Sequence, residues 1–189
     1  MINIQDQVAR TTKTLIFDEP FYGLFMIGIN KKYSEHIPTA GVSKQGIGMQ
    51  LTINPQFYTE LKEEHRYGLI KHELLHIAFG HLILRDKYSD HQLFNIAADL
   101  EINQYILESN LPDGGLLLSS FPELQLPKKA GTDKYYKLLQ QAQQDGTSPT
   151  LDSLMSQMDG TTPHCHSTWD EFNDMSESEK KLIQKQVEH

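Results

Sequence analysis

The chain has 189 residues, one cysteine (Cys165) and a formal net charge of -8. This length suits one domain, with room for a tail, and buries a core without disulfides, which a single cysteine excludes within the chain. The acidic balance argues against general nucleic-acid binding, which needs a basic footprint. The opening MINIQDQVAR has no apolar segment of the secretory kind, so the expectation is a cytoplasmic protein in a reducing compartment.

Residues 3–18 read as a helix with a partial apolar stripe of Ile4, Val8, Leu15 and Ile16, stopped at Pro20. Phe21 to Asn30 is aromatic and apolar and reads as a strand. A short strand is expected over Thr39 to Ser43. Another is expected over residues 47–53, where Ile47, Met49, Leu51 and Ile53 alternate with other residues. Asn54-Pro55 ends it. If the 47–53 strand lies at a sheet edge, a peptide could pair with it.

Glu63 to Arg85 reads as one long helix, apolar around nearly its whole circumference and therefore buried and central. A third helix is expected over His91 to Glu108. A Gly-, Pro- and Leu-rich loop then spans Leu111 to Gly131, and a helix runs from Thr132 to Gln144. Residues 145–168 have linker composition. A final helical stretch starts near Ser176 and reaches His189 without a cap or breaker, as expected of a truncated chain or of the front part of a longer protein. The order implies an α+β domain over 1–145, with a small mixed or antiparallel sheet packed on the central helix. A linker and helical tail follow over 146–189.

The chemistry is concentrated in His72-Glu73-Leu74-Leu75-His76. Residues four apart on a helix project to nearly the same side, so both imidazoles can reach one ion at ~2.0–2.1 Å. Glu73, about 100° around the helix, reaches a water on that ion instead of the ion itself. There it can act as general base and then as acid toward a leaving amine. At ordinary residue usage roughly one chain in a hundred or fewer of this length would carry the pattern by chance.

A catalytic zinc usually takes a third protein ligand. Asn95, Asp99 and Asn103 form a polar stripe at four-residue spacing among Ala97, Ala98, Leu100 and Ile102. A carboxylate there needs a partner, and Asp99 is the expected third ligand. The alternative is that Asp99 makes a buried polar contact or steadies His72 or His76. Glu101 is expected to face solvent with Gln104 and Glu108. His81, about 140° around the helix from His76, could ligate only if the helix broke near Gly80. Otherwise it ends the helix, supports a ligand or lines the cleft. His164-Cys165-His166 is a further potential metal-binding segment, whereas His36, His65 and His91 read as surface residues. Tyr67, Tyr105 and His81 are candidate oxyanion donors.

These segments together resemble the putative metallopeptidase domain that precedes a von Willebrand A-like domain in many bacterial and phage proteins. The matching pieces are Glu19-Pro20-Phe21-Tyr22-Gly23, Ile37-Pro38-Thr39-Ala40, Asn54-Pro55-Gln56-Phe57, His72 to His76, Gly80-His81, Arg85, Asn95 to Asp99, Ile102-Asn103, His166 and Trp169. The resemblance covers most of residues 10–175. It implies a zincin-like fold and zinc-dependent hydrolysis of a peptide or protein substrate. It also implies His72 and His76 as zinc ligands, Glu73 as base and Asp99 at the acidic position. The von Willebrand A-like partner domain that the resemblance implies is not expected within residues 1–189. The competing readings are a non-catalytic, zinc-stabilised protein-binding module and a metal-free helical scaffold.

Overall fold

The computed structural model describes residues 3–46, 48–158 and the isolated positions Trp169, Ser178, Lys180, Lys181 and Lys185. Helix α1 (Ile4–Asp18) is capped by Asn3, whose side chain accepts from the Gln5 N–H, and buries Val8, Thr11 and Leu15 on one stripe. Pro20 does not introduce a strand. It occupies the first turn of a second helix, α2 (Pro20–Gly28), where its fixed φ favours helix and its missing N–H costs nothing. The expected strand over Phe21–Asn30 is therefore corrected to a helix. The segment is rich in Phe, Tyr, Leu and Met, with Ile27 the single β-branched residue of the helix, and Gly23 and Met26 turn inward at helical spacing.

Three strands follow: β1 (Asn30–Tyr33), β2 (Ala40–Gln45) and β3 (Gly48–Ile53). Their spatial order is β1-β3-β2, with β1 parallel and β2 antiparallel to β3, so the sheet is small and mixed. The 47–53 strand is thus central, and both its edges are occupied. The edge positions belong to β1 and β2, and the buried β2 packs against the helix that carries the histidines. Ile47 lies outside the described residues. Asn54 starts α3 (Pro55–Glu60) by accepting from the Phe57 N–H at 3.1 Å, so the strand stop is also a helix cap.

Helix α4 (Glu63–Ala78) is buried from Gly68 through Ile77, with Glu63 and Glu64 in its first turn favouring the helix dipole. It does not run on to Arg85. Gly80 adopts φ +69°, a left-handed conformation that glycine takes without steric cost, and a short helix α5 (His81–Leu84) leaves at a new angle. Asp90 caps α6 (His91–Ile102) by accepting from the Leu93 N–H at 2.9 Å. This helix ends six residues before the expected Glu108. The Gln104 side chain donates to the Leu100 carbonyl at 2.6 Å, supplying that carbonyl with the donor a further helical turn would have provided.

Helix α7 (Thr132–Asp145) packs along α6 and ends at Gly146. The stretch expected to be linker contains α8 (Pro149–Met158), which rests on α6 and α7 through fully buried Leu151. Ser148 Oγ accepts from the Leu151 N–H, and Pro149 follows it, a start signal present in the sequence. One core joins the sheet to α1, α4, α6 and α7 through residues such as Leu15, Leu51, Ile70, Leu74, Phe94 and Leu139. Among the described residues no helix is long and apolar enough to cross a membrane.

Candidate metal centre

Helices α4 and α6 cross at the centre of this core and bring together one donor atom each from His72, His76 and Asp99, all three residues buried. The Nε2 atoms of His72 and His76 are 3.0 Å apart. Asp99 Oδ1 is 3.2 Å from the His76 Nε2 and 3.6 Å from the His72 Nε2. Four donors placed tetrahedrally at ~2.0–2.1 Å around an ion stand about 3.3–3.4 Å from one another. The three separations bracket that value, so the three residues fit three corners of a tetrahedral metal ion's shell.

The proton on His72 can be placed. Its Nδ1 lies 2.8 Å from Asn103 Oδ1, and the Asn103 amide is oriented by its Nδ2, which donates to the Leu116 carbonyl at 2.8 Å. Asn103 therefore presents its oxygen, His72 Nδ1 carries the hydrogen, and the His72 Nε2 lone pair points toward His76 and Asp99. Two members of the polar stripe, Asp99 and Asn103, thus stand at the same cluster, one among its converging atoms and one behind a histidine.

Glu73 is buried next to this group. Its carboxyl is pushed well above the ordinary carboxylate range, first by burial and then by the charge of Asp99, with the Val42 backbone N–H acting in the opposite direction. Val42 belongs to edge strand β2, so the sheet edge and the acid meet at one place. His72 and Glu73 open onto a cavity of about 350 Å³, lined largely by apolar groups including Phe57, Leu69, Leu111, Leu116 and Leu154. Such a volume suits a side chain or small ligand.

The remaining candidates sit elsewhere. The break at Gly80 does occur, yet it turns His81 onto the back of His76, with the two Nδ1 atoms 2.9 Å apart, and not into the donor cluster. Glu101 is not a solvated residue. It is half-buried, accepts from the Thr132 N–H at 2.7 Å and makes a short contact with the Thr132 hydroxyl. Burial pushes its carboxyl up, but hydrogen bonds from His81 and Thr132 outweigh that and hold it below its usual value.

Tyr67 donates to Glu19 Oε1 at 2.6 Å, and both Tyr67 and Tyr105 line a different groove, one that includes Glu63 and Glu64. Neither faces the cavity at Glu73, so the expectation of an oxyanion donor among Tyr67, Tyr105 and His81 finds no support in their positions. His36 is exposed, and His65 and His91 are half-buried. His164, Cys165 and His166 lie outside the described residues. Trp169, one of the residues that carry the family resemblance, is fully buried. Its ring stands edge-on to His76 with centroids 4.7 Å apart.

The comparison with protein families agrees with this geometry. The chain belongs to the family described as a putative metallopeptidase domain, whose model matches residues 5–188. No curated protein and no solved structure matches the chain.

Proposed function

We propose that this protein is a zinc-dependent peptidase in which His72, His76 and Asp99 hold the metal and Glu73 is the general base. The observation that carries the reading is the convergence of two imidazole nitrogens and one carboxylate oxygen at tetrahedral spacing, with a second, buried carboxyl alongside. Two neutral imidazoles and a carboxylate suit zinc. When bound, zinc supplies a Lewis acid that polarises a scissile carbonyl and lets water lose a proton near neutral pH.

The protein's own groups do the rest. Glu73 takes the proton from the attacking water and returns it to the leaving amine. The apolar cavity beside His72 and Glu73 receives a side chain next to the cleaved bond. The substrate class is therefore peptide or protein.

The test is hydrolysis of a disordered protein by zinc-loaded chain and by Glu73→Gln, with fragments read by mass spectrometry. Wild type should cleave, and the variant should lose roughly 10²–10⁴-fold in rate while keeping its metal. Equal turnover by the two would remove Glu73 from the mechanism.

A further inference from the structure

The structure assigns a positioning role to a chain of three residues behind His76: His81, Thr132 and Glu101 set which nitrogen of His76 carries the hydrogen and so keep its Nε2 available to a metal. This rests on the metal site proposed above and extends it to residues that touch neither ion nor substrate.

The direction of the chain follows from its carboxylate end. An ionised Glu101 can only accept, so the Thr132 hydroxyl donates to it, alongside the Thr132 backbone N–H at 2.7 Å to the same oxygen. The hydroxyl oxygen then has a lone pair for the His81 Nε2–H, 3.0 Å away. With its hydrogen on Nε2, a neutral His81 presents a lone pair at Nδ1. The group facing it at 2.9 Å is His76 Nδ1, which must be the donor. The His76 hydrogen is thereby fixed on Nδ1, and the lone pair of Nε2 faces Asp99 and His72.

Helix α6 thus supplies an anion to each side of one imidazole. Asp99 stands directly at Nε2, and Glu101, which also lies 3.5 Å from the His81 Nε2, acts on Nδ1 through Thr132 and His81, a run of three hydrogen bonds. Asp99 and Glu101 are two residues apart, which places them about 200° apart around the helix, so they cannot serve the same side. The break at Gly80 returns His81 to His76, and the start of α7 inserts Thr132 between His81 and Glu101. Groups that hold a metal-binding histidine in this way typically alter metal affinity 10–100-fold when removed.

The experiment uses the full chain with Thr132→Val, Glu101→Gln and the conservative Thr132→Ser. Zinc affinity is measured by chelator competition, and the visible spectrum of the cobalt(II) form is recorded. Nitrogen NMR of the metal-free wild type locates the His76 hydrogen. Thr132→Val and Glu101→Gln should weaken zinc binding 10–100-fold and shift the cobalt spectrum. Thr132→Ser should restore both, and the His76 hydrogen should be found on Nδ1. Unchanged affinity and spectrum in Thr132→Val and Glu101→Gln, beside a wild type that binds zinc, would overturn the relay and leave the metal site intact. A His76 hydrogen on Nε2 would overturn it even without metal data. A wild type that binds neither ion would end both the relay and the metal site.

Discussion

Asn103 Oδ1 lies 2.8 Å from His72 Nδ1, and the same amide donates to the Leu116 carbonyl at 2.8 Å. The second bond gives the first its meaning, because it forbids the amide to flip. Asn103→Ala should therefore leave His72 free to turn or to change tautomer. The expected outcome is a 10–100-fold loss of zinc affinity by chelator competition, with helix content by circular dichroism close to wild type. Wild-type affinity in this variant would mean that His72 needs no such support.

Trp169 is the chain's single tryptophan, and its ring centroid is 4.7 Å from that of His76. Its fluorescence should therefore report on the centre without any label. Cobalt(II) should quench most of the emission at one equivalent, and His72→Ala should abolish the quenching. Quenching that survives in the variant would place the ion away from the histidine pair.

Helix α4 approaches the turn at Glu108–Asn110 so closely that a Cβ at Gly68 would stand within bonding range of the Asn110 backbone carbonyl. Gly68→Ala should cost about 1–3 kcal/mol by forcing the two apart, despite the better helix propensity of alanine. Thermal or urea unfolding measures this. A stabilised variant would show that the turn yields freely.

Tyr58 donates to Thr11 Oγ1 at 2.7 Å in the core, and burial pushes its hydroxyl up to about 12 from an ordinary value of 10.0. Its folded pKa is raised, so the native state holds the proton after the unfolded state has released it. The contribution is complete below pH 10 and is lost as pH rises from 10 toward about 12. Tyr58→Phe should fall less steeply in stability across that window than wild type in urea melts. Parallel curves would exclude Tyr58 as a source of alkaline sensitivity.

The two halves of the cluster were legible because each is local, the histidine pair on α4 and the Asp99–Asn103 pair at the end of α6. The four-residue spacings of His72 with His76, and of Asp99 with Asn103, need only a helix to acquire meaning. Helix α2 was missed because aromatic density resembles a strand when the Pro20 start signal is read as a stop. Helix α8 carried its own start signal in Ser148-Pro149, hidden in linker-like composition. The support of His76 was illegible for another reason. His81, Glu101 and Thr132 come from three elements, and they meet only because Gly80 breaks the helix and a long loop returns Thr132 to α6. No periodicity encodes that meeting. The edge position of β2 likewise depends on β1 crossing to the far side of β3, which is a matter of topology.

The most direct test of the metal centre is metal content per chain, by elemental analysis, of wild type and Asp99→Ala after zinc loading and extensive dialysis. One zinc per chain in wild type, lost in Asp99→Ala, is the predicted result. Zinc retained at one per chain in the variant would take Asp99 out of the coordination shell. Wild type with no zinc would contradict the centre itself.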